Sequence, residues 1–250
     1  MDKDFLAAHP WGPALRSANI KGMTSWTDLP RATFDLETTG IDPKTARIVT
    51  ASLILVSPDG DPIRSGEWLA DPGIEIPAEA AAVHGISTEY ARSHGQPAAK
   101  VVYELASALG GLFADGVPVI AFNAAYDFSV LHHELARYGY PPLTCYPVLD
   151  PLVINKQVHK YKKGKRTLEV LAAEYSVDLD NAHTSKEDAL AAERLLTAMS
   201  FEYPEIEQPA GDLHQQQIGW AAAQAADLQA YFDRIGKQER VNPAWPVRTD

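Results

Sequence analysis

Cysteine is almost missing from this chain of 250 residues, with Cys145 the single example. A lone thiol forms no intramolecular disulfide and builds no cysteine-based zinc site. Long apolar runs are missing too, and none is long enough to span a bilayer. The start, Met1-Asp2-Lys3-Asp4 leading into Pro10, Gly12 and Pro13, is acidic where a secretory signal would be basic and then apolar. These features point to a cytoplasmic protein in a reducing compartment, with no membrane partner. Basic residues are in short supply, 22 Lys and Arg against 33 Asp and Glu, for a net charge of −11. That balance argues against loose adhesion to polyanions through a broadly basic surface.

The scarce cations are not evenly spread. Between Asp150 and Glu169 stand Lys156, Lys160, Lys162, Lys163, Lys165 and Arg166, with no acid among them. Removing these six leaves 16 basic residues against 33 acidic ones, a net of −17. A local basic segment on an acidic body can hold a polyanion or can be a solvated loop.

Three β-rich runs come first: the stretch entering Phe34, then Arg47 to Val56, then Ile63 to Leu69. Dense turn chemistry at Pro58-Asp59-Gly60-Asp61-Pro62 separates the last two. They read as an antiparallel meander. A short helix signal lies at Ala78 to His84, and helical periodicity begins at Ala98 with Val101, Val102, Leu105, Leu109 and Phe113. Val117 to Phe122 reads as a buried strand, Ala124 to Tyr138 as a helix stopped by Gly139, and Tyr146 to Leu149 as a last strand. Helical patterns follow at Pro151–Val158, Thr167–Tyr175 and Ser185–Met199. The expected organisation is an extension over 1–28, an α/β domain over 29–200 with a mixed five-stranded sheet flanked by helices, and a linker with a C-terminal helix over 201–250. In that last part, Leu213 to Ile235 presents Trp220, Leu228 and Tyr231 as a stripe for packing on the domain or for docking a partner.

The most informative stretch is Phe34-Asp35-Leu36-Glu37-Thr38-Thr39-Gly40. Side chains two apart on a strand share a face, so Asp35 and Glu37 stand side by side. Two carboxylates there repel, and burying them needs a positive counterpart such as a divalent cation. Asp127 falls in the first turn of the helix after the buried strand, Asp188 near the start of the last core helix, and His183 in the loop Asp180-Asn181-Ala182-His183-Thr184 before it. Taken singly, each has a plain structural reading: an acid near a helix N-terminus, or a surface histidine.

In order, D-x-E, N-x-x-x-D and H-x-x-x-x-D make the motif set of the DEDDh exonucleases. The chain resembles that family over about Arg31 to Met199, and in particular the epsilon-type proofreading exonucleases of bacterial DNA polymerase III. Val83-His84-Gly85-Ile86 adds to the likeness, while Phe122 departs from it where relatives often carry histidine. The resemblance implies a ribonuclease-H-like fold. It implies two ions, Mg²⁺ or Mn²⁺, held by Asp35, Glu37, Asp127 and Asp188, with His183 as general base on the attacking water. It also implies that Thr38, Thr39, His84 and Ile86 line the pocket for a 3′-terminal nucleotide. Asn123 would support that pocket or the Asp127 turn. Lys162, Lys163, Lys165 and Arg166, with Lys160, would follow the phosphates of the incoming strand.

The function expected is 3′–5′ hydrolysis of single-stranded or frayed DNA ends to 5′-mononucleotides, with a DNA polymerase as a further partner. RNA 3′-end trimming is the close alternative, since nothing in the sequence reads a 2′-hydroxyl. A non-catalytic scaffold of the same fold and a phosphoesterase acting on small nucleotides are the readings from other classes. The full set of acids argues against the first, and the basic segment against the second.

Overall fold

The computed structural model describes residues 24–179 and 183–250. The expectation for 1–28 therefore falls mostly outside the described residues, as does that for Asp180, Asn181 and Ala182. Strands β1 (Arg31–Thr38), β2 (Ile48–Val56) and β3 (Pro62–Asp71) form the antiparallel meander expected from the sequence. Helices α1 (Ala78–His84) and α2 (Thr88–His94) follow, then a two-residue strand β4 (Gln96–Pro97) and the long helix α3 (Ala98–Ala114). Next come β5 (Val119–Ile120), α4 (Ala124–Arg137), β6 (Val148–Leu149), α5 (Pro151–Val158), α6 (Leu168–Glu174), α7 (Ser185–Glu202) and α8 (Ala210–Arg234).

The sheet order is β4-β3-β2-β1-β5-β6. The five anticipated strands are all present. The sixth, β4, is an edge piece running parallel to the end of β3, and it is too short to leave a periodic trace in the sequence. Strands β5 and β6 run parallel to β1, which makes the sheet mixed. Helix α2 was not anticipated. Ser87 caps it, its hydroxyl accepting from the Tyr90 N–H at 3.1 Å.

Strand β1 lies in the middle and is covered on both faces. Ala32, Phe34 and Leu36 point into one core with Val101, Leu105 and Leu109 of α3 and Phe128 and Leu131 of α4. Arg31, Thr33, Asp35 and Glu37 alternate onto the opposite face. A second core there gathers Ile120, Leu149, Ile154, Leu171, Leu195, Leu196 and Met199, and is joined by Trp26 and Leu213.

Helix α7 is fixed over that face by polar contacts as well as by packing. At its first residue, Ser185 Oγ lies 2.9 Å from Ser52 Oγ and accepts from Thr50 Oγ1 at 3.2 Å. Ser52 pairs with Asp35 and Thr50 with Glu37 in the β1–β2 register, so these hydroxyls flank the two acids. One turn on, Thr33 Oγ1 donates to the Ala189 carbonyl at 2.5 Å. Further along, Arg31 and Glu193 form a fully buried ion pair: Arg31 Nε donates to Glu193 Oε1 at 2.8 Å and Nη2 to the same oxygen at 2.5 Å. Arg31 also donates to the carbonyls of Ser57 and Pro58 in the β2–β3 turn. Thr197 Oγ1 accepts from Arg31 Nη2 and donates to Glu193.

The β6 edge is closed by α8. The Val148 N–H donates to His214 Nδ1 at 3.0 Å, and the Asp150 N–H to Gln217 Oε1 at 2.7 Å. Gln217 Nε2 in turn donates to the Val148 carbonyl at 3.1 Å. Buried His214 is held neutral, its pKa pushed down by burial, which suits an accepting Nδ1. Trp220 is partly buried against both cores, whereas Leu228 and Tyr231 are exposed. Packing therefore uses the N-terminal half of α8.

Removing one partner of a buried ion pair leaves an uncompensated charge and costs about 3–5 kcal/mol. Glu193→Ala is expected to lower unfolding free energy by about that amount in urea titration, with Arg31→Met/Glu193→Leu recovering much of it. A loss below about 1 kcal/mol for Glu193→Ala would contradict the role given to this pair.

Candidate active site

Asp35 and Glu37 occupy neighbouring same-face positions near the end of β1, and Asp188 reaches them from the first turn of α7. Carboxylate oxygens of these three residues lie within 4.8 Å of one another. Asp127, buried in the first turn of α4, stands behind them, its Oδ1 accepting from the Leu36 N–H at 3.1 Å. The two acids of the strand and the acid of α7 thus form one cluster, with the helix acid that follows β5 next to it.

Their electrostatics follow from that crowding. Asp35 is pushed well above the ordinary carboxylate range, first by burial and then by repulsion from Asp127, Glu37 and Asp188. Glu37 is pushed up to about 8, by burial and then by Asp188. Asp127 is raised by burial, against the opposing pull of its N–H donors. Asp188 is also raised by burial, and the His183 N–H opposes that shift. All four acids resist ionising without a cation nearby. An all-oxygen set of this kind fits hard divalent ions, and divalent metal use is the reading the cluster supports.

The backbone of Asn123 enters α4 in the left-handed region, φ 58°. That bend is held by a residue sequence reasoning passed over. Buried Asp150, after β6, accepts from the N–H groups of Asn123 and Ala124, both at 3.0 Å. It also caps α5 through Leu152 N–H at 2.9 Å and receives the Trp245 indole N–H at 3.4 Å. A signal for it was present, since Asp before Pro at a helix start is a strong capping pattern. Asn123 thus acts on the Asp127 turn through its backbone.

His183 precedes α7 with φ 72°, and its N–H faces the Asp188 carboxylate at 3.3–3.4 Å. Its imidazole is about half exposed, with Nε2 3.8 Å from Glu169 Oε1 of α6. Glu169 is a second neighbour that the motif reading did not name. His183 and Glu37 open onto a cavity of about 340 Å³ whose wall also includes His84, Ile86, Trp68 and Tyr90. Trp68 and Tyr90 add aromatic surface that the sequence reading did not single out.

Thr38 and Thr39 build the turn beside the site. Thr38 Oγ1 donates to the Gly40 carbonyl at 2.9 Å and lies 2.5 Å from the Tyr126 hydroxyl, while Thr39 Oγ1 accepts from the Arg47 N–H at 2.9 Å. Tyr126, pushed up to about 12 by burial, stays protonated and donates to the Gly40 carbonyl. The basic segment divides. Arg166 donates to the carbonyls of Asn155, His159 and Lys162, and Lys162 pairs with Glu174, so these two hold their own loop. Lys163 and Lys165 are exposed.

The profile of the family described as Exonuclease matches residues 33–196, and the chain belongs to that family. This bears out the resemblance seen in the motif set. The chain is 27% identical over 169 residues to a DNA polymerase III PolC-type from Lacticaseibacillus paracasei, covering 68% of this chain and 11% of that protein. It is 28% identical over 148 residues to a DNA polymerase III subunit epsilon from Rickettsia conorii, covering 58% of this chain and 61% of the relative. Among solved structures, E. coli exonuclease I in complex with a dA16 oligonucleotide superposes with a TM-score of 0.61 at 17% identity, over 71% of this chain and 42% of that one. Exonuclease I from Methylocaldum szegediense gives 0.57 at 19%, with the same shares. These likenesses bear out the fold. The chain spans only 11% of the first PolC-type relative's length.

The raised acids give metal-free protein a signed pH dependence. An acid whose pKa rises on folding contributes stability that is complete below its unfolded value and is lost as pH climbs through its folded value. For Glu37 that window runs from 4.5 to about 8, and Asp35, Asp127 and Asp188 act in the same direction. In chelator, the melting temperature is expected to fall from pH 6 to pH 9, and Glu37→Gln to flatten the fall. Added Mn²⁺ should raise the melting temperature more at pH 8.5 than at pH 6. A melting temperature that climbs with pH in chelator would contradict this.

Proposed function

We propose that this chain is a 3′–5′ exonuclease that hydrolyses the terminal phosphodiester of single-stranded or frayed DNA and releases 5′-mononucleotides. The observation that carries the reading is the convergence of Asp35, Glu37 and Asp188 oxygens within 4.8 Å, with Asp127 behind them and an imidazole at the rim.

Asp35, Glu37, Asp127 and Asp188 would hold two ions, Mg²⁺ or Mn²⁺, whose four positive charges balance the four carboxylates. When bound, the ions neutralise charge at the phosphate and ease deprotonation of the attacking water. The protein's own groups do the rest. His183 takes the proton from that water, and its half-exposed ring in the cavity wall faces a substrate seated there. The cavity seats the 3′-terminal nucleotide against the rings of Trp68 and Tyr90, beside His84 and Ile86, in contacts indifferent to base identity. Neither Ser185 nor Cys145 is set up as a covalent nucleophile. Ser185 Oγ is engaged by Ser52 and Thr50, and the Cys145 thiol is pushed up to about 12 by burial.

Proofreading beside a DNA polymerase is the biological setting we propose, and the PolC-type and epsilon relatives support it. The cytoplasm is the proposed location. Among the described residues no helix is long and apolar enough to cross a membrane.

The test is digestion of 3′- and 5′-labelled DNA and its RNA twin with Mg²⁺, Mn²⁺ or EDTA. Asp35→Ala is expected to abolish cleavage while leaving the fold intact, and His183→Ala to lower kcat by about 10²–10⁴-fold with KM little changed. Undiminished digestion by Asp35→Ala, or a change in KM alone for His183→Ala, would overturn the assignment.

A further inference from the structure

Residues 159–166, between α5 and α6, form a loop with a definite internal frame. Arg166 Nη2 donates to the His159 carbonyl at 2.7 Å and to the Lys162 carbonyl at 3.3 Å, and Nη1 donates to the Asn155 carbonyl at 3.3 Å. Lys162 is drawn back to Glu174 of α6. Gly164 turns the chain at φ 90°.

What the frame presents outward is an aromatic ring among cations. Tyr161, the one tyrosine, phenylalanine or tryptophan of the segment, is 89% exposed, and Lys160, Lys163 and Lys165 around it are exposed as well. A ring left in water adds nothing to the core. Its setting offers a flat π surface beside point charges, which matches the alternation of base and phosphate along an unpaired strand. A duplex hides its base faces and would meet only the lysines. A broad anionic surface such as a membrane would meet an otherwise acidic body, since the residues outside 151–168 carry a net charge of −17 (16 basic, 33 acidic).

Helix α6 links the loop to the site. The loop runs directly into α6, and Glu169 in the first turn of that helix is 3.8 Å from His183 Nε2. Glu174 at the other end of α6 holds Lys162, so the Tyr161 loop lies roughly 7.5 Å along the helix axis from the end that meets His183.

We propose that Tyr161 is a stacking platform for an unpaired base upstream of the 3′-terminal nucleotide, with Lys160, Lys163 and Lys165 on the adjoining phosphates. The identity of the bound strand rests on the function proposed above; the platform itself does not require cleavage. It also changes the part played by the basic segment: Arg166 and Lys162 shape the loop, and the ring with the remaining lysines makes the contact.

The experiment is fluorescence anisotropy of labelled dT20, a dT20·dA20 duplex and the dinucleotide dT2, with full-length protein in EDTA so that no cleavage intervenes. Tyr161→Ala is expected to weaken dT20 about tenfold and dT2 no more than about twofold, with Tyr161→Phe close to wild type because the stacking face is kept. Lys163→Gln/Lys165→Gln should make the salt dependence of log K shallower by about 0.7 per lysine. Equal affinity of Tyr161→Ala and wild type for dT20 overturns the platform. So does an equal loss on dT20 and dT2, or a wild-type preference for duplex. Tyr161-dependent binding of dT20 with no hydrolysis in any metal would sink the exonuclease reading and leave the platform standing. Hydrolysis with Tyr161-independent binding would do the reverse.

Discussion

Holding Asp35, Glu37 and Asp188 within touching distance of one another is the demand around which this structure is organised. Like charges that close repel, and burial adds to the cost: desolvation first, and neighbouring carboxylates after it, push all four site acids up. Something must press α7 onto β1 against the repulsion. Apolar packing of Leu195, Leu196 and Met199 does part of it. Three polar contacts set where α7 stops along the strand: Ser185 on the β2 hydroxyls, Thr33 on the Ala189 carbonyl, and Arg31 on Glu193. Each uses the same face of the β1–β2 pair that carries the acids. Register and charge confinement are therefore one problem with one solution, and stability stored in that face is drawn down by the site it supports.

Asp127 arrives by a second route. It depends on the left-handed step at Asn123, and that step depends on Asp150, whose carboxylate gathers backbone N–H groups from the starts of both α4 and α5. Asp150 is in turn reached by Gln217 of α8, through its own N–H, and by Trp245 near the C-terminus. Both lie beyond residue 196, where the family match ends. Helix α8 also supplies the hydrogen bonds that the outer side of β6 lacks, so an edge strand is covered rather than exposed. The region after 200 is thus built into the sheet edge, and Ile218, Leu228 and Tyr231 are the large apolar residues that α8 leaves exposed.

Much of this was legible in the sequence because two periodicities carry it. Alternation along β1 put Asp35 and Glu37 on one face, and the helix starts at Ala124 and Ser185 put Asp127 and Asp188 at element ends. What stayed hidden depends on pairings distant in sequence. Nothing local singles out Arg31, because its partner Glu193 is 162 residues away. Glu169 and His183 meet only once α6 and α7 are packed. Lys162 and Arg166 read as free cations because nothing local reveals that Glu174 and the carbonyls of 155, 159 and 162 engage them. Strand β4 is two residues long, too short for any pattern.

The central claim is that these four acids together form one two-ion site, and diffraction tests it most directly. In crystals soaked with Mn²⁺ and measured at the manganese absorption edge, anomalous density should appear between the carboxylates of Asp35, Glu37 and Asp188, with a second peak toward Asp127. Density confined to other acidic patches, with these four carboxylates turned away from one another, would contradict the account.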